Sequence, residues 1–286
     1  MPARPNRVPN RHPSRRHLLL AALAMPGLLA LPAAAQAFDH SHAAWTTLLK
    51  KHVLLLRGGQ ASQLRYAGMA ADRPALKAYL ASLSAVDAAS FARFSKPQQM
   101  AFLINAYNAF TVELILTRHP DLKSIKDLGS LLSSPWKPKW IPLLGQTLSL
   151  DDVEHGRLRE RGRYDDPRIH FAVNCASIGC PMLREEAFVA DRLDAQLAEQ
   201  TRRFLADRTR NRWDAGRGRL AVSKIFDWYG DDFKLGHQGI ASLPAFFAAH
   251  ADLLADAPAD RARIRDPQVA IGFLDYDWAL NDAPAR

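Results

Sequence analysis

The sequence predicts an α+β fold, predominantly helical, in one domain with a small sheet of short strands. Three observations lead there. Apolar residues recur at helical spacing through most of the chain, often behind a capping residue or a first-turn proline. The β-rich runs are few and short, and they do not alternate with helices in the way a parallel sheet requires. No internal repeat or low-complexity linker interrupts the stretch from residue 38 to 286, which reads as one domain.

The chain has 286 residues, and its first 37 read as a cleavable export signal. Arg4, Arg7, Arg11, Arg15 and Arg16 carry charge with no acidic residue among them. An apolar run from Leu18 to Leu31 comes next, then a small-residue stretch closing at Ala37. Ser14, Arg15, Arg16 and Leu18 resemble a twin-arginine signal. Without those five arginines the 38 basic residues become 33 against 29 acidic ones. The high charge thus belongs to the leader, and no nucleic-acid partner is expected. A periplasmic or secreted location is expected, with no stable membrane insertion after cleavage.

Residues 40–52 carry helical spacing (Ala44, Leu48) that runs on through Val53 and Leu56, predicting a helix that ends near Gly58 and Gly59. Arg73 and Pro74 open a second helix with a Leu76, Tyr79, Leu80, Leu83 stripe. Ser95 caps a third over 98–118, the most apolar and therefore central, stopped at His119 by Pro120. Residues 125–148 read as short helix, loop and strand, and Ser149 with Asp152 opens a helix over 153–161. Residues 169–174 are β-rich and predict a strand, and 191–207 an amphipathic helix with Leu193, Leu197, Phe204 and Leu205 inward. Residues 212–214 and 220–222 flank Gly216 and Gly218 as a hairpin. Ser223 caps a helix to Tyr229, and 269–278 form a last strand or extended segment.

Reactive side chains are densest around His170, Asn174, Cys175, Ser177 and Cys180. On a strand, His170 and Asn174 share a face, and Cys175 falls where the strand ends. Backbone N–H groups and an imidazolium lower a thiol pKa at such a place, and a Cys–His pair is the arrangement for nucleophilic acyl transfer. Cys175 is then the nucleophile and His170 or His155 the base. Asp151 or Glu154 orients the imidazole; Asp151 is better placed for His155, because adjacent helical residues diverge. Asn174 stands near the oxyanion. Equally open is a Cys175–Cys180 disulfide, natural for two cysteines five apart in an exported protein. A bridged Cys175 is not a resting nucleophile. No metal is expected, since His155, His170, Cys175 and Cys180 fit no common zinc spacing, and no cofactor motif occurs.

Trp136 and Trp140 flank Lys137, Pro138 and Lys139 in a rigid loop that suits stacking on a ligand ring, or packing against the core. The arginines from Arg202 to Arg219 form a solvated basic face or a contact for an anionic polymer. Asn105, Tyr107 and Asn108 put polar groups on the apolar helix, and buried amides need partners, so they brace the core or line the site. Tyr276 and Trp278 share that ambiguity.

Five segments together resemble the domain-of-unknown-function 547 family, over about residues 90–286. They are Phe102-Leu103-Ile104-Asn105-Ala106-Tyr107-Asn108, Ser149 to His155, Asp166 to Ser177, Ser223 to Tyr229, and Asp275-Tyr276-Asp277-Trp278. The resemblance implies that Cys175 is a reactive group more than half of a structural bridge. The function expected is a cysteine-dependent hydrolase or acyltransferase acting on an amide or thioester, with a peptide or cell-envelope component as substrate. The order of His170 before Cys175 is that of circularly permuted papain-like enzymes, an analogy of roles. The alternative is a non-catalytic envelope module binding a glycan or protein, with the cysteines as a staple.

Overall fold

A computed structural model describes residues 1–3, 37–130 and 133–284. The chain divides into two units, Met1–Ala37 and Phe38–Arg286. Nearly all of the expected export signal lies outside the described residues. The second unit is an α+β arrangement of many helices and seven short strands among the described residues. Among them no helix is long and apolar enough to cross a membrane.

The Lys96–Leu116 helix is central, as its all-round apolarity predicts. Its start is written locally. Ser95 Oγ accepts from Gln98 N, the Gln98 side chain accepts from Ser95 N, and Pro97 occupies the first turn. Arg73–Ser84 packs beside it with the expected Leu76, Tyr79, Leu80 and Leu83 buried.

The single small sheet resolves into three separate ones. Strands β1 (Val53–Leu56) and β2 (Ala61–Leu64) form an antiparallel hairpin, as do β3 (Ile141–Leu143) and β4 (Gln146–Leu148). β5 (Arg212–Asp214) pairs antiparallel with β6 (Arg219–Val222) where the glycine-bearing turn was expected, and β7 (Ile271–Phe273) joins β6 in parallel.

Two expectations are overturned. The first helix stops at His52, and Val53 to Leu56, read as its continuation, is β1. Gly58 and Gly59, at φ 64 and 88, turn the chain back, and β2 then satisfies the backbone of the apolar run. Residues 169–174 are not a strand. Asp166 accepts from Arg168 N, Pro167 starts a 3₁₀ turn over Pro167–Phe171, and the N–H groups of Ala172 and Val173 both donate back to Ile169 O. The run is apolar because it is buried, and a short apolar run does not reveal its backbone by period alone. The helix from Ser149 is likewise shorter than expected: Leu150–Val153 passes into a π-helical turn, Glu154–Leu158.

Buried apolar residues form two clusters. The larger gathers around the central helix. The smaller is rich in phenylalanine: Phe171, Phe204, Phe226, Phe233, Phe246 and Phe247.

Candidate functional site

The segment that carries Cys175 has no regular structure of its own, so buried amides hold it. Asn108, on the central helix, donates through Nδ2 to Ala172 O (2.9 Å) and accepts at Oδ1 from Asn174 N (2.8 Å). Asn174 passes the grip along, with Nδ2 donating to Pro181 O (2.8 Å) and Oδ1 accepting from Ala176 N (2.9 Å). The C-terminal segment closes the other side: Ile178 N donates to Ala279 O and Gly179 N to Asp277 O, both at 2.8 Å. A methyl group on Gly179 would meet Asp277 O at 2.9 Å, so the close approach requires glycine. Arg210, nearly buried and paired with Asp207, donates to the Cys180 carbonyl.

Cys175 and Cys180 are joined in a disulfide. The expectation of a standing free thiol at Cys175 is therefore not met in this state, because the sulfur has no lone proton or thiolate charge to use. The Cys175 Sγ lies 3.2 Å from both Ser177 Oγ and Tyr276 Oη, and those two hydroxyls are 2.9 Å apart. Tyr276 Oη also donates to Cys180 Sγ at 3.1 Å.

His170 is 3 % exposed and stacks on Tyr229, with ring centroids 4.1 Å apart. Its Nε2 is 2.7 Å from Asp232 Oδ2, while Nδ1 is buried without a partner. Burial alone would raise the Asp232 pKa. Hydrogen bonds from His170 and from Arg159 (2.6 and 3.1 Å) outweigh it and hold the carboxyl well below the usual carboxylate range. An ionised carboxylate can only accept, so Nε2 carries the proton and Nδ1 keeps its lone pair. Burial pushes the imidazole pKa down, against the pull of Asp232, so His170 is neutral at pH 7.

His155 is placed differently. Its side chain is 40 % exposed, and Nδ1 accepts from Arg159 Nη1 at 2.9 Å, which occupies its one lone pair. Asp151, expected to orient it, stands 3.8 Å from Nε2, and Glu154 is 4.0 Å from Nδ1, both beyond a hydrogen bond. Of the two histidines, only His170 has a free basic nitrogen.

The structure brings Cys175, Cys180, His170, His155, Glu154, Tyr107 and Trp136 to one cleft of about 280 Å³. Asp151, Trp228, Tyr229, Tyr276 and Trp278 complete its walls. Glu154 is buried beside the hydroxyls of Tyr107 and Tyr229, whose pKa values burial raises and the Glu154 charge raises further. Burial also raises the Asp151 carboxyl, with Glu154 adding to it and His155 and Lys137 opposing.

Other candidates are drawn elsewhere. Asn174 holds its own loop with both ends of its amide, and its Oδ1 also accepts from Asn281 Nδ2 at 3.3 Å, so neither end is turned to an oxyanion. Asn105 clasps Phe188 through both its N–H and its carbonyl, so it braces the core. Ser177 is buried behind the disulfide. Trp140 packs edge-on against Phe110 and is absent from the cleft wall, unlike Trp136, whose ring meets Trp278. Several of the arginines expected on a solvated face are paired: Arg203 with Glu185 and Glu199, Arg208 with Asp256, Arg210 with Asp207.

Asp232, Tyr229, Trp228 and Arg159 were not singled out as site residues by sequence reasoning. For Asp232 the available signal was weak: an acidic pair, Asp231 and Asp232, just before Phe233 in an aromatic stretch. Only the tertiary fold reveals that one of the pair is buried.

Neither a curated protein nor a solved structure matches the chain. A family model does, that of "Protein of unknown function, DUF547", over residues 91–205, a span that includes Asn105, Asn108, Glu154, His170 and both cysteines. Over that span, 115 of its 286 residues, the chain is similar to the domain-of-unknown-function 547 family.

Proposed function

We propose that this is a thiol-dependent acyl-transfer enzyme acting on an amide or thioester, with Cys175 as nucleophile and His170, held by Asp232, as general base. The observation that carries the reading is His170 itself. Its Nε2 is locked on an ionised carboxylate, and its Nδ1 is unpartnered in a residue that lines the same cleft as Cys175. Nucleophile, base and orienting acid are the three groups this chemistry needs. The papain-like analogy is one of roles.

The bridge makes the resting form inactive. A dithiol reductant exchanges with Cys175–Cys180, leaving two thiols on the protein and a disulfide on the reductant. His170 Nδ1 then takes the Cys175 proton as the sulfur adds to the acyl carbon. It passes that proton to the leaving amine or thiol, and a thioester forms. Water attacks the thioester, giving its proton through His170 back to the sulfur and releasing the acid. The leader expected at residues 1–37 makes the cell envelope the site of action and a peptide or envelope component the substrate. An oxidising compartment also accounts for the resting bridge.

The second reading, a binding module stapled by Cys175–Cys180, is favoured by the bridge itself. Iodoacetamide labelling with mass mapping, after mild dithiol treatment of the folded protein, separates the two. The enzyme reading expects Cys175 to label rapidly at pH 6, more slowly in His170→Ala, and at an intermediate rate in Asp232→Asn. A bridge that reduces only on unfolding, or a Cys175 whose labelling ignores His170, leaves the staple.

A further inference from the structure

The lining of the cleft has a composition that neither acyl transfer nor a staple explains. Six aromatic side chains line it, together with the carboxylates of Asp151 and Glu154, and no lysine or arginine is among the lining residues. The rings form a continuous array: Trp136 meets Trp278 at 5.9 Å, Trp278 meets Tyr276 at 4.5 Å, and Tyr276 meets Trp228 at 4.9 Å. Trp228 is 42 % exposed, an open face where a ligand stem can lie. The array already attracts cations from the protein, with Lys126 Nζ 3.8 Å from the Trp278 centroid and the Arg159 guanidinium 4.8 Å from that of Tyr229. Arg159 is paired with Asp232 at 2.6 Å.

The lining carries two carboxylates and no lysine or arginine, beside the hydroxyls of Tyr107, Tyr229 and Tyr276. The carboxylate oxygens of Asp151 and Glu154 accept, and the unpartnered Nδ1 of buried His170 carries a lone pair. A neutral sugar brings no positive charge to answer the two carboxylates. A primary ammonium has three N–H donors and no acceptor, and its alkyl stem suits aromatic faces.

We infer that the cleft binds a primary alkylammonium group, the chemistry of a lysine side chain or an aliphatic diamine, on Asp151, Glu154 and the surrounding rings. This rests on the acyl-transfer reading only for its role there. In amide cleavage the nitrogen that leaves takes its proton from His170, so the amine product is released beside these carboxylates, where it takes up a further proton from water. The substrate is then an amide of a primary alkylamine. In the bridged protein no chemistry runs, and recognition of the amine is measured by itself.

The experiment is a tryptophan-fluorescence titration of the full chain, purified without reductant, with Nα-acetyl-lysine methylamide and its neutral analogue lacking the ammonium, Nα-acetyl-norleucine methylamide. The lysine compound should bind about tenfold or more tightly, the scale of a charge-assisted hydrogen bond. Asp151→Asn, at a partly exposed side chain, and Glu154→Gln should each remove most of that preference. Thermal melts of both variants test whether each is folded. If Glu154→Gln does not fold, Asp151→Asn alone decides. Cadaverine as a third probe distinguishes the source: tighter binding than the lysine compound assigns a free diamine, weaker binding a lysyl chain. Equal binding of the norleucine compound, no binding by any probe, or a preference untouched in the folded variants overturns the inference. None of these outcomes bears on whether Cys175 labels through His170, so the two proposals fail separately.

Discussion

On the Lys96–Leu116 helix the buried side chains of Asn105 and Asn108 are neutral amides that grip backbone, whereas beside the phenylalanine-rich core an imidazole, a carboxylate and a guanidinium meet. Asn105 and Asn108 each satisfy donor and acceptor on a single neighbouring segment, and so fix where the chain runs. His170, Asp232 and Arg159 fix a protonation state instead. The first arrangement suits a scaffold, because a paired amide costs little to bury. The second is expensive to desolvate and is stable only while complete. The cleft takes Tyr107 and Val173 from the scaffold side and Ile225 and Tyr229 from the other, so it depends on both.

The comparison breaks most visibly by deleting a ring. Phe226→Ala should destabilise the domain by about 3–5 kcal/mol and Leu103→Ala by about 2–5 kcal/mol, both sites being fully buried. Urea denaturation measures both. Hydrogen exchange sharpens the contrast: protection across Gly230–Lys234, which carries Asp232, should fall in Phe226→Ala and hold in Leu103→Ala.

Acid should act next. His42, 1 % exposed with Nδ1 2.7 Å from the Tyr79 hydroxyl, has its pKa lowered from 6.5 to about 4, chiefly by burial. The unfolded chain therefore binds the proton first. The stability is whole above pH 6.5 and is lost as pH falls toward 4, by about 3 kcal/mol at most. His170, also lowered, begins its loss in the same window. Asp232 runs later, because its lowered carboxyl stabilises the fold above the ordinary aspartate range and fails only as pH drops below it. A thermal melt series from pH 7.5 to 4 should show the decline, and His42→Gln should flatten it. An unchanged slope in that variant would assign the decline to the other histidines whose pKa burial lowers, His170, His40 and His250.

Gly179→Ala should cost about 1–3 kcal/mol, since backbone at 2.9 Å has to move, and it should loosen the C-terminal segment from the cysteine loop. Faster proteolysis near Asp277, together with a lower melting temperature, checks this. The smallest effect is Ser95→Ala, which removes the cap of the central helix for about 1 kcal/mol, visible as a modest shift in urea midpoint with the cleft unaltered.

The hairpin of β5 and β6, the Ser95 and Ser149 caps and the helix beginning at Arg73 were legible because each is decided within a few residues: a hydroxyl reaching an N–H three positions on, a proline in a first turn, glycines closing a turn. The errors share one cause. Val53 to Leu56 and residues 169–174 are short apolar runs, and apolarity records burial without recording which backbone is buried. The α+β class, the central helix and the gathering of His170, Cys175 and Cys180 in one segment were thus determined by the sequence alone. Tertiary structure decided that the cysteines are bridged, that His170 and not His155 keeps a free lone pair, and that Asn174 serves its own loop. The physical reason is separation. Asp232 is 62 residues from His170 and Tyr276 is 101 from Cys175, and no local pattern encodes partners that meet only when two cores close on a cleft.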